Sequence, residues 1–218
     1  MTPLGEAFLS GFRDLGYVPG QNIIIDRRCY LTPAESRHGL SDFGGRRVDV
    51  LVVATDPVIQ AARQATTTIP IVMVVAADPV GAGLVASLAK PGGNVTGLSM
   101  LAPDLAGKRL ELLKATVPQL SRVAVLWNDK NSAKAREFRE TETAAKSLGV
   151  KLQSLAVRDP DPAFEPPFSA MRQERAQALV LLDDALTFHH RAHLGWLAAQ
   201  NRLPAMWESR EFLDAGGG

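Results

Sequence analysis

The stretch from Thr68 to Ser99 places the strongest constraint on what this chain can fold into. It opens with an apolar run rich in β-branched residues, Ile69 to Val75, which is typical of a strand buried on both faces of a parallel sheet. A polar break at Asp78-Pro79, an apolar segment LVASLA and a Pro-Gly-Gly turn separate it from a second strand, Asn94 to Ser99. Open parallel sheets bind ligands outside the carboxyl ends of their strands, so Asp78 and Ser99 occupy positions where binding is expected.

Strand and helix patterns alternate along the whole chain, which predicts an α/β fold of parallel sheets flanked by helices. The predicted strands cover residues 22–28, 48–54, 69–75, 94–99, 122–127, 151–157, 178–182 and 205–207. Helices are predicted at residues 4–15, 57–65, 106–117, 135–148 and 185–201, whereas glycines leave 31–47 ambiguous and a Pro-Pro pair weakens a helix near 166. The series doubles, so we expect an N-terminal lobe at 1–101, a C-terminal lobe at 102–208 and a return segment at 209–218. Two such lobes close around a ligand in the cleft between them.

The composition narrows the class of partner. The chain has 24 basic and 23 acidic residues and no basic stripe, which argues against nucleic acid. Its single cysteine, Cys29, cannot form an intrachain disulfide and is expected to be a small buried hydrophobe. No segment has the length of a membrane span, and the residues after Met1 do not form a signal peptide pattern.

Four blocks of the sequence carry a resemblance: TTTIPIVM, DPVGAGLVASLAKPGGNVTGLS, GKRLELLKATVPQLSRVAVLWN and REFLDAGG. Together they resemble the solute-binding proteins of bacterial ABC uptake transporters, in the tryptophan and aromatic amino-acid-binding-like group with the type I periplasmic binding protein fold. The resemblance spans Leu4 to Gly217. It implies capture of a small solute, with an amino acid as the suggested ligand. It also implies delivery to a membrane permease, a periplasmic location, and neither catalysis nor a cofactor.

Two other hypotheses stand beside this one. The lack of a leader favours a cytosolic ligand-sensing domain. Gly81-x-Gly83-x-x-Ala86 matches a relaxed dinucleotide fingerprint, which would make the chain a Rossmann-type nucleotide-dependent enzyme. Against the enzyme, Asp78-Pro79 separates the strand from the glycines, where the fingerprint needs a tight turn.

Histidines and paired acids raise the question of a metal or a catalytic site. His189, His190 and His193 have the spacing of a zinc-binding helix, but the sequence offers no H-E-x-x-H pattern and no evident third ligand, so a solvated helix face is favoured. Asp183-Asp184 follows a buried strand and could bind metal, serve acid–base catalysis or hold an ammonium, or one of the two could cap the next helix. No nucleophile–base pair or Walker lysine accompanies them, so binding is preferred over catalysis.

The candidate ligand-binding residues are those that follow predicted strands. They are Thr55, Asp56, Asp78, Ser99, Trp127, Asn128, Asp183, Asp184 and Trp207. The Thr55 turn opens a helix and would attract a ligand carboxylate, although Asp56 favours an amine there and a plain N-cap is the alternative. The two tryptophans would stack on a planar ligand or pack internally. For an amino acid, we expect the carboxylates to hold the ammonium and the Thr55 turn to hold the carboxylate.

The resemblance also predicts that the chain is truncated at both ends. It opens inside its first helix, and a strand before that helix would be central in a sheet of order 2-1-3-4-5. The predicted strands at 22–28 and 48–54 would then lack a neighbour, and Gly216 to Gly218 stops where the family continues. We therefore expect the C-terminal lobe to be the better ordered one, and the incomplete first lobe to allow self-association.

Overall fold

The computed structural model describes residues 3–28, 39–40, 48–158 and 162–217. Two compact units are present, Met1–Leu31 and Thr32–Gly218. The predictions for Cys29 and for most of 31–47 lie outside the described residues. The lobe boundaries at 101 and 208 stay a prediction.

The first unit contains one helix, α1 (Pro3–Asp14), where the sequence predicts one. The predicted strand at 22–28 is wrong: a single bridge joins Pro19 to Ile23, and Ile24 is 93% exposed. Isoleucines favour a strand only where a neighbouring strand supplies hydrogen bonds and a face to pack on. The described residues of this unit contain no such neighbour.

The second unit begins with a three-stranded parallel sheet of β1 (Leu51–Val53), β2 (Ile71–Ala76) and β3 (Val95–Ser99), in the order β1-β2-β3. One face is covered by α2 (Asp56–Ala65), whose Ile59 and Ala62 are fully buried. The other face carries exposed apolar side chains, Val52, Val74 and Leu98. The prediction that these strands are buried on both faces is therefore wrong for this sheet.

Residues 79–90, between β2 and β3, form turns and bends. Leu84 and Val85 of the LVASLA segment still reach the core of the sheet. In β3, Gly97 has a φ of 139°, and a Cβ there would lie 2.1 Å from the Met73 carbonyl oxygen. This position requires glycine because β2 and β3 approach each other closely at that point.

A second parallel sheet contains β4 (Arg122–Asn128), β5 (Lys151–Val157), β6 (Ala178–Leu181) and β7 (Ala205–Met206), in the order β5-β4-β6-β7. Helices α3 (Ala102–Thr116) and α4 (Ser132–Leu148) cover one face. Helices α5 (Glu165–Gln173), α6 (Ala185–His189) and α7 (Arg191–Gln200) cover the other. This sheet is the doubly covered α/β layer that the apolar strand patterns predict.

Two helices of this region differ in detail from the sequence prediction. The Pro166-Pro167 pair does not prevent α5, because it lies in the first turn, where a missing N–H costs no intrahelical bond. The single helix predicted at 185–201 is divided into α6 and α7 at His190. The last described residues, Leu213–Gly217, form a short turn that is kinked at Gly216, where φ is 97°. Among the described helices, none has both the length and the apolarity that crossing a membrane requires.

Candidate functional site

The predicted ligand-binding residues all lie at or just beyond the carboxyl ends of strands. In the first sheet, Thr55 and Asp56 follow β1, Asp78 follows β2 and Ser99 ends β3. In the second sheet, Trp127 and Asn128 end β4, Asp183 and Asp184 follow β6, and Trp207 follows β7. These are the edges at which open parallel sheets bind ligands.

Asp78 connects the first sheet to α4. Its Oδ2 atom lies 2.8 Å from Nη2 of Arg136, in the second turn of α4, and its Oδ1 atom accepts the Gly81 N–H at 2.9 Å. A cavity of about 230 Å³ lies beside this ion pair. The residues that line it come from the turn after β2 and from the start of α4: Asp78, Gly81, Ala82, Ser132, Ala133 and Arg136. The cavity therefore lies between the two sheets' carboxyl ends.

Asp56 presents a carboxylate oxygen that has no partner. Its Oδ2 atom accepts the Ala77 N–H at 3.1 Å, while the buried Oδ1 atom has no hydrogen bond. Burial raises the pKa of Asp56, and the positive charge of Lys134 opposes that rise. Its neighbour Thr55 adopts φ 68° and ψ 140°, a strained backbone conformation for a β-branched residue. Buried acceptors left unpaired in this way are costly, and they are typical of sites that bind a ligand.

The charge of Lys134 also acts on Asp183, which follows β6. Burial raises the pKa of Asp183 to about 6, against the lowering effects of the Thr187 hydroxyl and of Lys134. The Thr187 hydroxyl donates to Asp183 Oδ1 at 2.8 Å, and the Asp183 N–H donates to Glu208 at 3.0 Å. Lys134 therefore influences carboxylates from both sheets.

Asp184 caps a helix, which is one of the roles that the sequence leaves open for this acid pair. Its Oδ1 atom accepts the N–H groups of Leu186 and Thr187 at the start of α6. Its Oδ2 atom accepts the side-chain amides of Asn128 at 2.9 Å and Asn131 at 3.2 Å. Asp184 thus fixes Asn128 at the end of β4 and Asn131 at the N-cap of α4.

A buried ion cluster supports α4 from within, and the sequence analysis missed it. Lys134 lies 2.7 Å from Glu137 and 3.2 Å from Glu208, and Arg109 of α3 lies 2.7 Å from Glu137. Although burial alone would lower the pKa of Lys134, the two carboxylates raise it, so the lysine is charged. Burial raises the pKa of Glu208, with Lys134 opposing. The spacing of Lys134 and Glu137 also suits a surface pair, and nothing in the sequence links them to Glu208.

The two tryptophans pack against aromatic side chains of the protein. Trp127 stacks on Phe138 of α4 at 4.8 Å between ring centroids, and its indole N–H donates to Ser154 on β5. Trp207 stacks on Phe212 at 4.9 Å. Both rings therefore pack on the protein's own aromatic side chains, and stacking on a planar ligand stays a prediction.

The glycine and histidine motifs that suggested a nucleotide site and a zinc site do not form such sites among the described residues. No helix follows Gly83, so the helix N-terminus that a dinucleotide fingerprint requires is absent from this described segment. His193 pairs with Glu165 at 3.2 Å, and the rings of His190 and His193 pack on Phe164. Within the described ranges, no three His, Cys, Asp or Glu side chains are grouped so that they could hold a metal ion.

A family model for ABC transporter substrate-binding proteins matches residues 5–218 of this chain. The chain belongs to the ABC transporter substrate-binding protein family. The sequence prediction of family and fold is therefore confirmed. A curated relative in this family, the tyrosine-binding protein of Clostridioides difficile (strain R20291), is 39% identical over 125 residues. That match covers 56% of this chain and 35% of the relative, about a third of its length.

Solved structures show the same substrate-binding-protein fold. A conserved domain protein from Vibrio cholerae superposes with a TM-score of 0.85 at 28% identity, over 97% of this chain and 70% of that one. The ABC domain from Streptococcus pneumonia in complex with L-Trp superposes with a TM-score of 0.82 at 22% identity, over the same shares of the two chains. Thus the two-sheet arrangement of residues 48–217 is that of the substrate-binding proteins.

Proposed function

We propose that this chain is the solute-binding component of an ABC uptake transporter and that it captures an amino acid outside the cytoplasm. The observation that supports this most is the meeting of strand ends from both sheets around the start of α4. An ion pair and a cavity of about 230 Å³ lie there. A cavity of this size is below the usual range for drug-sized ligands, which suits a small solute. The curated relative with 39% identity is a tyrosine-binding protein, so aromatic amino acids are the first ligands to test.

Reversible binding, rather than catalysis, is the activity we propose. The strand-end residues hold carboxylates and amides that are engaged in capping and packing, such as Asp184 and Asn128. The described histidines lie on α6 and α7, where His193 pairs with Glu165. The proposed partner is a permease in the membrane. It would receive the ligand when the two predicted lobes separate.

Asp56 is the proposed acceptor for a ligand ammonium. Its Oδ1 atom is already desolvated and unpaired, so a hydrogen-bonded cation would remove a penalty that the free protein carries. Asp183, whose pKa burial raises, gains in the same way from a nearby positive charge. The roles of Thr55, Ser99 and Asn128 in binding stay predictions.

Isothermal titration calorimetry with each of the twenty amino acids tests the proposal. We expect saturable heat for L-tyrosine or another aromatic amino acid. We expect the affinity to fall about tenfold or more in Asp56→Asn, because hydrogen bonds to charged groups are the strong ones. Asp104→Asn, on the exposed first turn of α3, is the matched control and should bind as the wild type does. Absence of heat for every amino acid would refute the ligand class.

A further inference from the structure

The Asp78–Arg136 ion pair lines the cavity. The Arg136 side chain is 39% exposed and the Asp78 side chain 15%, so solvent reaches the pair from the Arg136 side and partly screens the attraction. The cavity, about 230 Å³, has the volume of about eight water molecules. An amino acid that enters it meets a cation and an anion side by side.

Arg136 has the chemistry to bind a second carboxylate. A guanidinium carries five N–H donors in a planar fork that matches a carboxylate with two parallel hydrogen bonds. The first turn of α4 adds the partial positive charge of a helix N-terminus, which favours an anion in the same place. By contrast, the Thr55 turn carries the Asp56 carboxylate, whose unpaired Oδ1 atom would repel a ligand carboxylate.

We propose that Arg136 binds the carboxylate of the ligand and that Asp78 occupies its guanidinium while the cleft is empty. On binding, the ligand carboxylate replaces Asp78 at Arg136, and the released Asp78 carboxylate shares the three N–H donors of the ligand ammonium with Asp56. This assigns the carboxylate end to Arg136 instead of to the Thr55 turn. It rests on the proposed function, because it specifies how an amino acid is held in that same cleft.

Gly81 is the residue that lets the guanidinium take this position. A Cβ built at Gly81 would lie 1.4 Å from Nη1 of Arg136, so any side chain there displaces the guanidinium. The φ of Gly81 is not in the left-handed region, so alanine suits the backbone. Gly81→Ala therefore moves Arg136 without removing a charge. Gly93→Ala is the matched control, since a Cβ at Gly93 meets open space.

The experiment compares three ligands that share one ring. L-Tyrosine carries both charged groups, tyramine lacks the carboxylate, and 3-(4-hydroxyphenyl)propanoate lacks the ammonium. Their affinities are measured by calorimetry for the wild type, Arg136→Gln, Asp78→Asn and the control Arg139→Gln, an exposed arginine on the same helix. The same set is repeated with L-tryptophan, tryptamine and indole-3-propanoate.

The two variants should change ligand preference in opposite directions. Arg136→Gln should weaken the amino acid ten- to a hundredfold and leave the amine unchanged or tighter, because Asp78 is then free. Asp78→Asn should weaken the amine and strengthen the propanoate, because nothing then competes for Arg136. Gly81→Ala should reproduce the loss of the amino acid, and Arg139→Gln and Gly93→Ala should bind as the wild type does.

If Arg136→Gln weakens the affinity for all three ligands equally, the proposal is overturned and the ion pair is purely structural. Binding of the amino acid by the wild type would still support the proposed function in that case. Unchanged tyrosine affinity in both Arg136→Gln and Gly81→Ala would overturn it as well. If the wild type binds neither tyrosine nor tryptophan, this assignment fails, whereas the proposed ligand class fails only if none of the twenty amino acids gives heat. Circular dichroism of each variant shows that it is folded before binding is measured.

Discussion

Asp183 is a carboxyl group enclosed by protein at the end of β6, and burial raises its pKa from 3.8 to about 6. Between those two pH values the folded protein holds a proton on Asp183 that the unfolded chain releases. The free energy of unfolding should therefore fall as pH rises through this window. The full effect is about 3 kcal/mol, since each pKa unit corresponds to about 1.4 kcal/mol. In urea unfolding experiments from pH 4 to pH 7, the free energy of unfolding should decline less steeply for Asp183→Asn than for the wild type.

Asp104→Asn is the control for that measurement, because its side chain lies on the exposed start of α3. Its pH profile should parallel that of the wild type. If the profile of Asp183→Asn also parallels the wild type, burial does not perturb this group, and the electrostatic description of the cleft is wrong.

Gln153 on β5 is 7% exposed, and neither atom of its side-chain amide has a hydrogen-bond partner. Replacing it with methionine keeps the shape and removes a desolvated amide, so Gln153→Met should stabilise the fold by about 1 kcal/mol. Gln177 provides the contrast, because its amide accepts from Ser121 and Arg122 and donates to Gln119. Gln177→Met should destabilise by about 1–3 kcal/mol. Chemical denaturation of both variants tests this, and destabilisation by Gln153→Met would contradict it.

At the scale of single elements, the Asp184 side chain connects the start of α6 with the end of β4 and with the start of α4. It caps α6 and accepts the amides of Asn128 and Asn131, both of which are buried. Asp184→Ala removes the cap and leaves both amides unpaired, so we expect a loss of about 3 kcal/mol in the free energy of unfolding. Asp184→Asn keeps the capping oxygen but not the second acceptor and should cost about half as much. Equal costs for the two variants would show that the asparagine contacts contribute nothing.

Elements whose signals are local could be predicted from the sequence. The apolar run of β4 is buried in a doubly covered sheet, and Lys151–Val157 is a strand over the predicted residues. The isoleucines at 23–25 carry an equally strong strand propensity, but a strand needs a partner that propensity does not supply. The LVASLA segment shows the same limit of prediction from local sequence. It forms turns and bends, and yet its Leu84 and Val85 side chains lie in the core.

The candidate site was predictable only as a set of strand ends. The rule that ligands bind at the carboxyl ends of parallel strands placed Asp56, Asp78 and Asp183 correctly at those ends. Arg136 was missed because it lies inside a helix, and its approach to Asp78 depends on how α4 packs near the first sheet. Lys134 was missed for a similar reason, since Glu208 reaches it from 74 positions further along the chain. Contacts of this kind come from tertiary packing, so the spacing of residues along the sequence does not predict them.

At the scale of the whole second unit, the two sheets are stabilised unequally and meet through small residues. Ala77 after β2, Ala102 of α3 and Ala133 of α4 pack together and let the start of α4 approach the first sheet. Large side chains at these positions would separate the strand ends that the site requires. The shape of the cavity beside Asp78 and Arg136 therefore depends on this alanine contact as well as on the charged groups.

Hydrogen exchange should reveal the difference between the two sheets. In the second sheet, Val123 and Val125 of β4 are fully buried on one face, and Ala124 and Leu126 are fully buried on the other. In the first, Val52 and Val74 are 42% and 46% exposed, so local opening uncovers less additional apolar surface and costs less free energy. We expect the amides of β4 to exchange only by global unfolding. The amides of β1 and β2 should exchange faster, and a saturating ligand should slow them because it joins strand ends of both sheets. Equal protection of β2 and β4 in the ligand-free protein would show that the exposed face does not weaken the first sheet.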